Sequence, residues 1–481
     1  MRLRSSGCLS RSEKSSLVSV SKEWQSVIGT RNMAKLNLRP SCLEDFEQAV
    51  VRQRDLVRHI YLNVELPEYS CGLCERGISV TIREKNERLM AKAVQKLLII
   101  LGTWSSTSPL TLELNASSAS DSKHWFKNFR FSDEHDALYA RDPAIPMEAT
   151  HSDWHDPEHG WENGVQTKSP PFSANERLFG LMDLLRYIPD INIVRIPKVN
   201  AVTRFMIRRQ SRHFLESSSL EYILSRFSRL TNFVYETWPE QYTSIYPEPS
   251  IAALLGAYMS KTLKSVILFQ DSKQYLTESV HQIIQDTGAW INPLQFGSLF
   301  DLPDNTKSIA QTSLRLNELS VSFFIDAMDF FEACEEEWTW DHLESLSLTS
   351  SLLFQSINGQ KQRIDNLLIA AAKLVLRMPN LTTMVLWNGG TGRACAFIYT
   401  RAKHYAHITW RGTWDLEISQ QVLQAWEYVA KLHSVELRAK HERLRETIRS
   451  HGDAIFHLNL PCQVIEPTSL WQIRMEDAQG L

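Results

Sequence analysis

The chain has 481 residues, 43% of them hydrophobic, and a formal net charge of -3 from 52 basic and 55 acidic side chains. That is enough apolar material for a sizeable core, arranged in two or three domains or in one long repeat array. The mixed charge creates no field for nucleic acid or an anionic membrane surface, and no apolar window is long enough to cross a bilayer. Seven scattered cysteines, an odd number, point to a reducing compartment, cytoplasm or nucleus, rather than to a disulfide framework. The Arg- and Ser-rich start MRLRSSGCLSRSEKSS has the composition of a mitochondrial transit peptide, with an irregular polar terminus as the plainer alternative.

Within residues 16–28, Leu17, Val20, Trp24 and Val27 recur at intervals of three or four, the stripe of a short amphipathic helix. Met33, Leu36 and Leu38 then introduce a different spacing, apolar-x-x-apolar-x-apolar. It suits one residue closing a turn, followed by two on one face of a short strand. A helical stretch over Ser41–Arg54, a second triplet at Val57, Ile60 and Leu62, and a helix over Asn86–Leu101 come next. Leu110, Leu112 and Leu114 alternate as a strand.

Residues 116–174 break this rhythm with Ser, Asp, His, Pro and Gly, and read as an irregular, partly disordered insert. Periodicity resumes with a helix over Leu178–Ile188. The triplet returns at Leu230/Phe233/Tyr235, Leu263/Val266/Leu268, Leu316/Leu319/Val321, Leu343/Leu346/Leu348 and Leu381/Met384/Leu386. It continues at Tyr405/Ile408/Trp410, Leu432/Val435/Leu437 and Ile455/Leu458/Leu460, with helical stretches at Ile325–Cys334, Ile364–Arg377 and Ile418–Leu432.

At this apolar content roughly one window in twelve matches by chance, so position carries the argument: most triplets directly follow a helical stretch. Such alternation every few tens of residues is the mark of stacked α/β repeats. The intervals are irregular and the Asn ladder of standard leucine-rich repeats is missing. The expected fold is therefore α/β, an irregular leucine-rich-repeat-like solenoid, with a two-layer α/β or α+β domain as the alternative. Its parts are a polar N-terminus with one helix (1–32), the first strand-helix repeats (33–115), the insert (116–174) and the main array (175–481), capped by Asp453–Arg474. Ser345 and Ser347, lying beside the leucines of one triplet, are expected to face away from the core, where a partner would bind.

Four stretches hold chemistry-bearing residues. His151, His155 and His159, with Asp153, Asp156 and Glu158, are metal-ligand types spaced by four, but Pro157 interrupts any helix that would align them. Cys71 and Cys74 form a C-x-x-C that gives zinc two thiolates from one turn, yet no second pair follows nearby. Cys42 and His59 would have to come from the flanking fold, and two ordinary loop cysteines is the favoured reading. Trp387–Gly392 (WNGGTG) lacks phosphate-loop spacing and suits a turn with positive φ. Trp410, Arg411, Trp414 and Asp415 fit either a partner-anchoring patch or core packing with Arg stacked on Trp. No catalytic set is legible, so no catalytic residue, metal ligand or cofactor is expected.

Leu17–Trp24 (LVSVSKEW) resembles the second half of an F-box, the helical motif that docks the Skp adaptor of cullin-type ubiquitin ligases. The blocks CLEDFEQAVVRQRDLVRHIYLNVELPEYSC, LTLELNASSASDSKHWFKNFRF, WHDPEHGW, LWNGGTGRACAFIY, ITWRGTWDLEIS and HGDAIFHLNLPCQVIEPTSLWQIR resemble a fungal F-box-like family with a large C-terminal domain of unknown function. The resemblance implies an F-box remnant with Leu17, Val20 and Trp24 as adaptor-binding positions. The Leu-Pro-containing first helix of an F-box has no equivalent before Leu17. The expected function is a non-enzymatic adaptor presenting a protein substrate to an Skp-cullin ligase, with a scaffold free of ligase association as the alternative. A metalloprotein or enzyme using the His-rich stretch or the C-x-x-C is a third expectation.

Overall fold

The computed structural model describes residues 33–105, 108–132, 154–188, 196–238, 261–271, 303–353 and 360–477. The helix expected over 16–28, with Leu17, Val20 and Trp24, lies outside them.

Twelve strands form one sheet whose spatial order is the order of the chain. They are β1 (Lys35–Leu38), β2 (His59–Leu66), β3 (Leu110–Ser118), β4 (Val202–Ile207), β5 (Asn232–Thr237) and β6 (Ser265–Gln270). The series continues through β7 (Glu318–Ser322), β8 (Ser345–Thr349), β9 (Thr383–Gly390), β10 (Arg393–Arg401), β11 (Tyr405–Gly412) and β12 (Glu436–Arg443). Neighbours pair in parallel except around β10, which runs antiparallel to both β9 and β11.

The expected triplets fall into register across this sheet. Leu36 and Leu38 stand beside Ile60 and Leu62, and these beside Leu112 and Leu114. Further along, Phe233, Val266, Leu319, Leu346 and Met384 form one row, and Tyr235, Leu268, Val321, Leu348 and Leu386 the next. Side chains two apart on a strand share a face, so both rows point to the same side.

The helices are α1 (Leu43–Ala49), the single turn α2 (Cys71–Cys74), α3 (Val80–Gly102), α4 (Phe172–Leu178), α5 (Ser217–Leu224) and α6 (Pro303–Ser313). After them come α7 (Ala327–Glu332), α8 (Lys361–Val375), α9 (Gln420–Leu432), α10 (His451–Leu458) and α11 (Pro467–Asp477). Polar caps start several of them: Ser79, Asp326, Ser419 and Ser450 each accept a hydrogen bond from a backbone N–H of the first turn. Each parallel strand is added at the same edge, and parallel crossovers keep one hand, so the crossover helices gather on one face. There α3, α7, α8 and α9 bury their apolar stripes on the leucine rows in one core. Successive helices α6 to α9 pack side by side.

Three expectations need correction. The Leu178–Ile188 stretch is not a helix: α4 stops at Leu178, Gly180 follows, and Leu181–Met182 pairs with Phe214–Leu215. Ile455, Leu458 and Leu460 are not a strand triplet, because Ser450 caps α10 and buries Ala454, Ile455 and Leu458 at helical spacing. The last segment does not cap the array: α10 packs on β9 and β10, with α11 against it, on the face opposite α3, α7, α8 and α9.

Within the insert, 119–132 and 154–171 are well packed, and the second stretch carries a short antiparallel hairpin, Trp161–Glu162 with Val165–Gln166. Trp125, Phe126 and Phe129 form a second core with Cys74, Leu178, Phe179, Phe214 and Trp238.

Candidate functional site

Parallel neighbours β2 and β3 end together, with Leu66 beside Ser118. The segments leaving them therefore emerge side by side, and polar contacts lock them. The Tyr69 N–H donates to Ser120 Oγ at 3.0 Å, Ser120 Oγ donates to the Tyr69 carbonyl at 2.9 Å, and the Tyr69 hydroxyl donates to Asp121 at 3.1 Å. Burial pushes the Asp121 carboxyl up to about 6. This lock sets α2 against residues 121–125. The hairpin 161–166 closes the third side, where the indole N–H of Trp161 and the amide of Gln166 both donate to the Trp125 carbonyl.

In the corner between these segments Cys71, Cys74, His124 and His159 converge. One ligand-type atom from each, two sulfurs and two imidazole nitrogens, lies within 4.8 Å of all the others. His159 Nε2 is 3.4 Å from Cys71 Sγ and 3.2 Å from Cys74 Sγ. The other nitrogen of His159, Nδ1, faces both oxygens of Asp156 at 2.9 Å, and Asp156 in turn pairs with Lys127 at 2.9 Å. His124 lies against His159, with ring centroids 4.9 Å apart. Cys74 and His159 are buried, Cys71 is exposed and His124 half-buried. Burial, then the neighbouring Cys71, pushes the Cys74 thiol up to about 11.

The sequence held this set in two separate pieces. Cys71 and Cys74 belong to one and His159 to the other, and the fold joins them. His155 points to solvent, while His151 and Asp153 lie outside the described residues. Cys42 lies in the turn that follows β1 and is not part of the group, and His59 is taken by Glu113 at 2.9 Å. His124 carried no local signal, lying about fifty residues after Cys74 and well before the stretch that holds His159.

The sheet face opposite the main helices is the second place of interest. Ser347, expected to meet a partner, is fully buried there, and Cys462 of the chain's own C-terminal segment lies over Ser345 and Ser347. That segment is fastened by charges. Glu476 of α11 accepts from Arg209 at 2.6 Å and Arg212 at 2.8 Å, and Gln472 donates to Gln210 at 2.9 Å. Arg204 pairs with Glu466, and Arg208, itself paired with Glu113 of β3 at 2.6 Å, donates to the Thr468 hydroxyl. Burial alone would raise the Glu113 carboxyl, but the charges of Arg208 and His59 hold it down at about 2.

The remaining motifs are structural. Thr391 and Gly392 form the two-residue turn between β9 and β10, and Gly392 has φ of 77°, as a glycine-specific turn requires. Trp410 is buried and donates to the Trp414 carbonyl at 3.0 Å, Arg411 pairs with Glu442, and Asp415 pairs with Arg443 at 2.8 Å. Core packing wins there, although Arg411 forms an ion pair in place of the expected stack.

Residues 258–466 match the model of a family of unknown function, DUF6546, in agreement with a large C-terminal domain of unknown function. No curated protein matches the chain. The matched stretch runs from just before β6 to just before α11, so the Cys/His corner lies outside it. Among the described residues no helix is long and apolar enough to cross a membrane.

Proposed function

We propose that this protein is a non-enzymatic F-box-type adaptor, in which Leu17, Val20 and Trp24 dock a Skp-type adaptor and the sheet holds a protein substrate for a cullin ubiquitin ligase. The observation that carries the reading is the sequential sheet with its rows of buried apolar residues in register, the arrangement of stacked leucine-rich-repeat-like units. Read as an irregular solenoid, such a sheet would provide a long recognition surface without needing a catalytic group. Its chemistry suits a reducing compartment, cytoplasm or nucleus.

The middle of the non-helical face is filled by α10 and α11, so the substrate belongs at the open end. There β12 is a largely exposed edge strand, and Tyr405, His407, Arg438 and Lys440 share one face with it. The Arg438 guanidinium sits 5.4 Å from the Tyr405 ring, an aromatic and cationic pair of the type that anchors protein contacts.

Affinity purification of the full chain tests the reading. Recovery of a Skp-type adaptor and cullin that is lost in Leu17→Asp/Val20→Asp supports it, and failure to recover an adaptor when an F-box first helix is supplied upstream sinks it. The second reading, a scaffold without ligase association, is favoured by the extent of the family match, which starts at residue 258 and does not reach the F-box-like residues. It predicts stable partners without adaptor or cullin, and it fails if partner abundance depends jointly on this protein and on proteasome activity.

A further inference from the structure

We propose that Cys71, Cys74, His124 and His159 bind one zinc ion in a closed structural site. This inference is independent of the adaptor reading. Two thiolates and two imidazoles are the donor set that selects zinc over calcium or magnesium, which take oxygen ligands. The geometry agrees. Tetrahedral zinc with Zn–S near 2.3 Å and Zn–N near 2.05 Å places sulfur and nitrogen about 3.5 Å apart. The two sulfurs here are 3.4 and 3.2 Å from His159 Nε2, and the whole set falls within 4.8 Å.

The surroundings are those of a ligand rather than of a core histidine. A histidine that binds metal through one nitrogen donates its other N–H to a carboxylate or carbonyl, which fixes the ring and its tautomer. Asp156 does this for His159 Nδ1, and Lys127 holds Asp156 in place. Nε2 is then left as the lone-pair nitrogen, and it is the atom aimed at both sulfurs. A Cys71–Cys74 disulfide would satisfy the sulfurs but leave the two imidazoles converging on nothing. Both cysteines are free in the structure.

With all four positions supplied by protein, the ion has no open site for substrate, so its role is mechanical. It ties α2, the turn at 121–125 and the 156–160 loop together where few strand hydrogen bonds do so. Cys71 is exposed and His124 only half-buried, and this side gives the ion its way in. Binding energy of a preformed zinc site becomes local folding energy, so the insert core around Trp125 and Trp161 should loosen without metal while the twelve-stranded sheet persists.

The experiment is elemental analysis of the full chain, expressed with zinc available and purified reduced without chelator, followed by cobalt exchange. About one zinc per chain is expected, with cobalt giving the intense visible bands of tetrahedral thiolate coordination. Cys71→Ser and His124→Ala, at the two less buried positions, should lose the metal. Asp156→Asn should keep it but bind roughly 10–100-fold more weakly in a chelator competition. A chain that takes up no zinc while both thiols titrate as free overturns the proposal, as does full zinc retention in the folded Cys71→Ser/His124→Ala double variant. Should the variants fail to fold, the cobalt spectrum of the unsubstituted chain decides: a tetrahedral thiolate spectrum upholds the site, and an octahedral one or none refutes it.

Discussion

Arg209 and Glu476 meet at 2.6 Å with neither side chain touching solvent, and they join the end of β4 to the last helix across 267 residues of chain. Arg209 is also paired with Asp271, and Glu476 with Arg212. Burial lowers the Arg209 pKa, but these two carboxylates more than reverse it. Removing one partner of such a network strands the other charge in a low-dielectric interior. Glu476→Ala should therefore destabilise the protein by about 3–5 kcal/mol, read as a shift of the urea midpoint, with Glu476→Gln less severe. If the two variants unfold like the parent, α11 is not held by this network.

Glu236 gives a pH signature to the same clamp. Burial first, then the neighbouring Glu466, raises its carboxyl from the ordinary 4.5 to about 7. A folded-state pKa above the unfolded one means that the folded protein binds the extra proton. The contribution is complete below about pH 4.5 and is lost as pH rises to about 7, beyond which both states are ionised. Other buried groups titrate in overlapping windows, so the difference from Glu236→Gln is the useful quantity. The parent should lose stability relative to this variant between pH 4.5 and 7, by on the order of a few kcal/mol in parallel urea titrations. A constant difference across that range would show that Glu236 stays ionised.

Leu346 tests the registered rows directly. It is fully buried between Leu319 and Met384 in the main core, and the space it fills cannot close without disturbing both neighbouring strands. Leu346→Ala should cost about 2–5 kcal/mol, and Leu346→Met less than about 1.5 kcal/mol. Ser345→Ala, one position away on the other face, should be close to neutral. Equal losses for Leu346→Ala and Ser345→Ala would mean that the strand does not present leucine to a packed core.

Much of this sheet was legible because parallel strands under one helical layer impose a local spacing that repeats. Val202, Phe205 and Ile207 have that same spacing, and Phe205 and Ile207 stand in the rows, but no helical stretch leads directly into them to mark the triplet in the sequence. Strand β10 was missed because it returns antiparallel after a two-residue turn, with no helix before it. The C-terminal segment was misplaced for another reason. Its apolar residues match both strand and helix templates, and only the fold shows that a sheet face awaits them. The Cys/His corner has the least local signal of all. Its four ligand-type residues come from three segments, and register between β2 and β3 brings the first two together.

Gly389 marks how closely α10 approaches the sheet. A Cβ there would run into the Cβ of Ala454, well inside contact distance, with backbone rather than a flexible tip behind it. Gly389→Ala should force α10 off β9 and β10 and destabilise by about 1–3 kcal/mol. Ala454→Gly alone should cost about 1 kcal/mol, the ordinary penalty of glycine inside a helix. Because the second change removes the atom that the first one strikes, the double variant should be no less stable than Gly389→Ala and more stable than the sum of the two singles, by roughly 1–2 kcal/mol. Simple additivity in a double-mutant cycle would show that α10 does not rest on Gly389.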